Sequence, residues 1–322
     1  MRVLITGVTG QDGSYLAEQL AADGHEVYGM LRGAYHPKRQ WLQNLIPTIR
    51  FVSGDLLDQS SLVSALKNST PDVVYNLGAL TFVGMSWEQP AIMTEVTGLG
   101  VLRLLEAIRT CDPTIRLVHA SSSEQFGSSP PPQDEKTHFR PRSPYGVAKT
   151  MAHHTVVNYR DSYGMHVSTV IMFNHTSTRR GLEFVERKIT HGAARIAAGL
   201  SDSLHLGPLD RFRDWGWAPD YMQALPLVSK NDVPGDYVLA TGHMNSVREV
   251  VEYAFEFHGL DWTNYVVADP SLYRPADVEA LCGNTFKVRQ ELGWQATFAF
   301  EEIMDRLCRH DAAGALSQLD QS

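Results

Sequence analysis

The opening residues constrain this chain more than any other stretch. Arg2-Val3-Leu4-Ile5 is a short apolar run that enters Thr6-Gly7-Val8-Thr9-Gly10-Gln11-Asp12-Gly13, followed by SYLAEQLAADGHEV. The order reads as a strand, a glycine-rich turn, an amphipathic helix stopped by glycine, and a second strand. Gly7, Gly10 and Gly13 stand at G-x-x-G-x-x-G spacing. Glycines there permit a tight turn, close approach of backbone to a pyrophosphate, and close packing of helix on strand. The helix start then offers free N–H groups and the positive end of its dipole to phosphate. Thr9, Gln11 and Asp12 belong to the same cofactor-binding turn.

Four further strand-like runs follow at intervals that leave room for helices. The second strand, HEVYGML, ends at Arg32 and not at an acid. An acid there would hold a ribose 2′-hydroxyl, whereas an arginine accommodates a 2′-phosphate. Arg32, with Lys38 and Arg39 nearby, therefore leans toward NADP, with NAD the alternative; a solvated basic loop accounts for the same residues. IRFVSGDLLD places Asp55 and Leu56 at the end of a third strand, where such folds clasp adenine. DVVYNLGAL brings Leu77 and Ala79 close to the cofactor. Asp55 as a turn cap and a glycine-limited loop are the structural readings of those two segments. Five alternations of strand and helix predict an α/β fold, a Rossmann-type doubly wound parallel sheet. Residues 1–173 would form this cofactor-binding part, with the sheet completed by residues about 218–245. Residues 174–322 would form mainly a smaller substrate-binding domain.

The chemistry is expected where the fifth strand, IRLVHA, delivers Ser121-Ser122-Ser123-Glu124, and just beyond it, at Tyr145-Gly-Val-Ala-Lys149. A helix from Pro144 to about Tyr163 puts Tyr145 and Lys149 on one face. The ammonium then lies near the phenol, where it can lower a pKa of about 10. A phenolate so placed takes a hydroxyl proton while a nicotinamide takes hydride from the same carbon. Between the two motifs, Ser128–Lys136 (SSPPPQDEK) looks disordered and sits where a substrate lid could be. A helix is expected over Gly98–Cys111, and MHVSTVIMFNH reads as strand six. Farther on, Arg187-Lys188, Arg211, Arg213 and Arg274 stand mostly beside Gly, Pro or Trp. Converging, they would grip a diphosphate; taken singly, each reads as surface charge.

Composition narrows the function. The 322 residues carry a net charge of −8, unlike the basic surface of a nucleic-acid binder. No apolar run approaches the roughly 18 residues of a membrane span. No secretory leader is visible, and Cys111, Cys282 and Cys308 have neither disulfide-framework nor metal-site spacing, so a cytoplasmic location and no metal are expected.

Together these segments resemble the extended short-chain dehydrogenase/reductases of the sugar-nucleotide type, and among them the GDP-mannose 4,6-dehydratases. The resemblance covers essentially the whole length: TGVTGQDGSYL, SSSEQFG, PRSPYGVAK, VNYRDSYGMH, RRGLEFVERKIT, RDWGWAPDY, ATGHMNSVRE and YRPADVE. It implies that Ser122 takes the place of a catalytic threonine and that Glu124 is the dehydration base. Tyr145 and Lys149 would be the oxidation pair, with Ser123 beside the reacting groups. Asn174, Lys188, Arg213 and Arg274 match positions that contact the nucleotide diphosphate. A homodimer or homotetramer built through the Gly98–Cys111 and Tyr145 helices is also implied. The chain departs from the family pattern in three places. Asn174-His175-Thr176-Ser177-Thr178 replaces Asn-His-Glu-Ser-Pro, Gly78-Ala79-Leu80-Thr81 replaces Ala-Ala-Gln-Ser, and Arg32-Gly33-Ala34 replaces Arg-Arg-Ser.

The reaction implied is oxidation at C4 of the sugar, proton abstraction at C5 and loss of the C6 hydroxyl as water. The departures keep other substrates of the same chemistry open: a GDP-heptose, another nucleotide sugar, or a nucleoside dehydrated across its 4′,5′ bond. A non-catalytic nucleotide-sugar-binding protein is the reading from a different class.

Overall fold

The computed structural model describes residues 1–33 and 35–319; Ala34 of the Arg32-Gly33-Ala34 departure lies outside the described residues. Six strands, β1 (Arg2–Thr6), β2 (Glu26–Leu31), β3 (Arg50–Ser53), β4 (Val73–Asn76), β5 (Arg116–Ser122) and β6 (Val167–Met172), form the main sheet together with Asp236–Leu239 far downstream. The order across the sheet is Asp236–Leu239, β6, β5, β4, β1, β2, β3, and every pair is parallel. It is a doubly wound sheet whose order reverses between β1 and β4, which opens a crevice at the strands' carboxyl ends.

Alternation along the strands explains why both faces are covered. Val3 and Ile5 enter one core with Leu16 and Leu20 of α1 (Gln11–Ala22) and with Tyr221, Met222 and Leu225 of the helix Ala218–Lys230. Leu4 points the other way, into a core with Leu62 and Leu66 of the helix Gln59–Ser69 and Leu104 and Ile108 of the helix Gly100–Cys111. Successive strand side chains face opposite ways, so a strand buried on both sides must be apolar throughout. A third core joins the helices Val185–Ala197, Val247–Phe257 and Phe300–Leu319 through Ile189, Val250, Phe255, Ile303 and Leu307.

Three expectations need correction. The helix predicted from Gly98 begins at Gly100. Ahead of it come two short helices, Val83–Glu88 and Pro90–Thr94, and one wide π-turn, Glu95–Leu99. Strand six stops at Met172. After a last bond to the sheet, from the Phe173 N–H to the Leu239 carbonyl, its tail Asn174–Thr176 pairs with Trp215–Trp217 instead. The Ser128–Lys136 segment is neither loose nor a lid. Its Gln133 is fully buried and exchanges bonds with the Cys282 backbone, Gln133 N–H to the carbonyl (2.8 Å) and Cys282 N–H to Oε1 (2.9 Å). The Glu135 carboxylate accepts the Val238 N–H (2.8 Å), covering the edge of the sheet. Polar side chains spent on backbone partners tie this proline-rich strap to the body, away from the cleft.

Candidate active site

One cleft of about 980 Å³ runs along the carboxyl ends of the strands. Its lining holds Gly7, Thr9, Gly10, Gln11, Asp12 and Gly13; Arg32, Lys38, Asp55, Leu56, Leu77 and Ala79; Ser122, Ser123, Glu124, Tyr145 and Lys149; Asn174, Lys188, Arg211, Arg213 and Arg274, whereas Arg39 and Arg187 lie outside it.

The turn after β1 fits a dinucleotide phosphate on its own geometry. Gly7 has a φ of +67°, and a β-carbon there would lie 2.7 Å from the Leu77 carbonyl. One on Gly13 would lie 2.6 Å from the Val8 α-carbon. Gly10 begins α1 with no side chain capping it, which leaves the first-turn N–H groups for an anion in the cleft. Asp12 in that first turn would oppose such an anion, but it is answered from across the chain. His175 Nε2 lies 3.0 Å from Asp12 Oδ2, while its Nδ1 lies 2.7 Å from the Phe173 carbonyl oxygen. Both ring nitrogens thus face oxygen atoms. Burial alone would raise the Asp12 carboxyl; the charge and hydrogen bond of His175 outweigh it and hold Asp12 at about 2. The imidazole also stacks on Tyr221, centroids 4.8 Å apart.

Below the middle of the cleft, β5 ends at Ser122, and Ser123–Gln125 make a single tight turn. The Glu124 N–H donates to Ser122 Oγ (3.3 Å), capping this turn, and Glu124 lines the cleft. The helix Pro144–Tyr163 starts beside it because Ser143 caps it, accepting the Gly146 N–H (3.0 Å), and Pro144 occupies its first turn. Tyr145 and Lys149 follow, both buried. The expected lowering of the phenol by the ammonium is not what the protein groups produce. Lys149 Nζ donates to the Ala120 carbonyl (2.6 Å) and stands 5.9 Å from the Tyr145 ring centre. Burial pushes the Tyr145 phenol well up, and a bond to Ser122 pulls it only partly back. Burial also brings Lys149 down to about 8.

Toward the other end, three arginines surround one carboxylate. Asp277 Oδ2 is 3.3 Å from Arg211 Nε, and its Oδ1 is 3.6 Å from Arg213 Nη2 and 3.5 Å from Arg274 Nη1. Arg213 is held further by the Phe212 (2.8 Å) and Val278 (3.0 Å) carbonyls. Burial lowers its pKa, and the nearby charges of Glu124 and Asp277 work against that. Lys188 and Asn174 also line the cleft. Arg187 does not join them, since it turns away and is buried against Asp311.

Sequence reasoning gave no role to His175, Asp277 or Arg180, all of which line or brace the cleft. Arg180 stacks on Phe184 at 3.7 Å and donates to Glu186 Oε1 (2.9 Å). The Arg179-Arg180 doublet was the one visible signal. Of the four departures near the sugar, Leu80 and Thr81 line the cleft, whereas Thr176 is buried beneath it and Thr178 offers its carbonyl to Arg187.

Comparison with known proteins agrees with this geometry. The family model for GDP-mannose 4,6 dehydratase matches residues 4–307. The chain is 42% identical over 320 residues to GDP-mannose 4,6 dehydratase 2 of Arabidopsis thaliana, covering 96% of this chain and 86% of that one. To the GDP-mannose 4,6-dehydratase of Vibrio cholerae it is 42% identical over 347 residues, covering 96% and 93%. Among solved structures, the UDP-glucose 4-epimerase of Thermus thermophilus in complex with NAD superposes with a TM-score of 0.83 at 28% identity, covering 97% and 99%. With the family model matched over residues 4–307 and relatives 42% identical over 96% of its length, this chain belongs to the GDP-mannose 4,6-dehydratase family.

Proposed function

We propose that this protein is an NAD(P)-dependent hydro-lyase that converts GDP-mannose to its 4-keto-6-deoxy product. The observation that carries the reading is Glu124, one turn from Ser122 and in the same cleft as Tyr145 and Lys149. Oxidation or epimerisation at C4 needs no such acid, whereas elimination needs a base for the C5 proton.

A bound nicotinamide supplies the hydride acceptor and later the hydride donor. Tyr145, in the phenolate form that the positive charge of a bound nicotinamide would favour, would accept the proton of the sugar 4-hydroxyl, steadied by Ser122. The 4-ketone acidifies C5, and Glu124 removes that proton. The C6 hydroxyl leaves as water as Tyr145 returns its proton, and Glu124 reprotonates C5 when hydride arrives at C6. Each positioned acid or base is asked for about 10² to 10⁴-fold in rate. Arg213, Arg274 and Lys188 bind the diphosphate, and Asn174 orients the nucleotide sugar between them and Tyr145. Residues 1–173, with the strand from Asp236, serve the cofactor, and 174–322 serve mainly the substrate.

Incubation with GDP-, UDP-, CDP- and dTDP-hexoses and free nucleosides, read by mass spectrometry for loss of one water, tests the assignment. Turnover of GDP-mannose is expected. Turnover of a different nucleotide sugar alone would favour the second reading, the same chemistry on a changed sugar, which Leu80 and Thr81 on the cleft wall support. Binding without turnover of any of them would return the chain to a binding protein.

Arg32, His36 and Lys38 at the cleft's adenosine end support a preference for NADP. Mass spectrometry of the nucleotide released by denaturation decides it. Half-buried Leu99, Leu102 and Met151 and exposed Val147, on neighbouring helices, support a homodimer or homotetramer; a concentration-independent monomer mass in light scattering would refute it. Three cysteines without a disulfide fit a cytoplasmic enzyme. Among the described residues, no helix is long and apolar enough to cross a membrane.

A further inference from the structure

A cofactor that is reduced and reoxidised within one turnover has no reason to leave, yet a cleft of this size is open enough to lose it. Residues 175–184 form a strap across α1 at the phosphate end. Ser177 Oγ donates to Gln11 Oε1 (2.7 Å), Gln11 Nε2 to the His175 carbonyl (3.4 Å), and His175 holds Asp12. Arg179 Nη1 reaches Ser14 Oγ (3.1 Å) and Glu18 Oε2 (2.5 Å), its guanidinium 3.9 Å from the Tyr15 ring centre. Arg179, Arg180 and Gly181 of the strap face the cleft.

The strap's other side is a turn in which the Ser177 carbonyl accepts the Arg180 N–H (3.1 Å). Three of its carbonyls converge on one nitrogen: Arg187 Nη1 donates to Ser177 (3.3 Å), Thr178 (2.9 Å) and Arg180 (3.2 Å). The opposite edge of that guanidinium is clamped by Asp311, Nη2 to Oδ1 at 2.5 Å and Nε to Oδ2 at 3.4 Å. Asp311 lies on the last helix and is itself fixed by Thr190 Oγ1 (2.7 Å) and His310 Nδ1 (3.1 Å). Both partners of the pair are buried. Arginine suits this position because its planar fork presents one edge to the carboxylate and another nitrogen to the carbonyls, whereas a lysine carries all its donors on a single nitrogen.

We infer that Arg187 and Asp311 form a latch that holds the strap over α1 and sets how long the dinucleotide stays in the cleft. The latch acts from behind the strap and touches neither cofactor nor substrate, so these are positioning residues. The inference rests on the NAD(P) reading given above, but not on the identity of the sugar.

The test is the release rate of NADPH, followed by loss of its fluorescence when excess NADP⁺ is added, in the full-length protein well below the melting temperature. Asp311→Asn is expected to release NADPH at least about tenfold faster than the parent, in line with the tenfold that each 1.4 kcal/mol confers. Release within twofold of the parent, with only the melting temperature lowered, would assign the pair to packing and overturn the latch. Should Asp311→Asn not fold, Arg187→Lys decides by the same criterion. It keeps a cation beside Asp311 while giving up the fork to the three carbonyls. A parent that takes up neither NADPH nor NADH would instead overturn the cofactor reading beneath the inference.

Discussion

Gly146 and Glu124 lie so close that a β-carbon on Gly146 would sit 2.7 Å from the Glu124 carbonyl oxygen. The residue that follows Tyr145 thereby sets how near the phenol's helix comes to the Glu124 turn. Gly146→Ala must push the helix start away from the Glu124 turn, since the backbone atom it meets cannot swing aside. Overpacking of this kind costs roughly 1–3 kcal/mol in stability. A misplacement of an ångström lowers kcat by about 10²-fold. Steady-state kinetics should show the loss in kcat, with KM for the nucleotide sugar little changed.

Glu124 and Tyr145 are separable by their steps. Glu124→Gln keeps the shape but removes the base. The variant should still reduce bound nicotinamide, seen in its near-ultraviolet absorbance, while dehydrated product falls by about 10² to 10⁴-fold. Tyr145→Phe should lose both signals. Near wild-type dehydration by Glu124→Gln would take Glu124 out of the mechanism.

The arginines around Asp277 lead to a binding prediction. Arg213→Ala or Arg274→Ala should weaken binding of a nucleotide diphosphate sugar by about 1.5–3 kcal/mol, the scale of hydrogen bonds to charged groups. Calorimetric titration with GDP and with guanosine separates the causes. Only the diphosphate-bearing ligand should lose affinity.

Lys149 gives a pH prediction with a definite sign. Its folded pKa of about 8 lies below the ordinary lysine value of 10.5. Between those values the unfolded chain binds the extra proton, so this residue makes stability rise with pH across that window. Below about 8 its penalty on the folded state is complete. Lys149→Met should therefore melt at a higher temperature than the parent at pH 7, and the gap should narrow by pH 10. The same variant should be inactive. A melting temperature below the parent's at pH 7 would show that the Ala120 bond outweighs the cost of burial.

What was legible in the sequence was local. The three glycines, the Ser122-Ser123-Glu124 run and the Tyr145-Lys149 spacing each lie within one turn of chain, where backbone geometry alone dictates which groups meet. Asp12 and His175 are 163 residues apart, and nothing in the spacing of either names the other. Arg187 and Lys188 looked alike as cations, yet helical rotation sends one into the cleft and the other into the core. The proline-rich strap read as disordered because composition counts proline and serine, and cannot see that Gln133 finds a buried backbone partner near Cys282. Spacing put the phenol and ammonium on one face of a helix, but their proton affinities depend on burial, which spacing does not carry.

The seventh strand of the sheet also has a temporal meaning. Asp236–Leu239 pairs with β6, and the helix Ala218–Lys230 covers one face of the same sheet. As the chain leaves the ribosome, β6 waits with a bare edge until most of the downstream half has been made. A chain truncated after residue 173 would keep that edge for good and offer it to other molecules. Residues 1–173 are thus no portable module, and attempts to express them alone should yield aggregate.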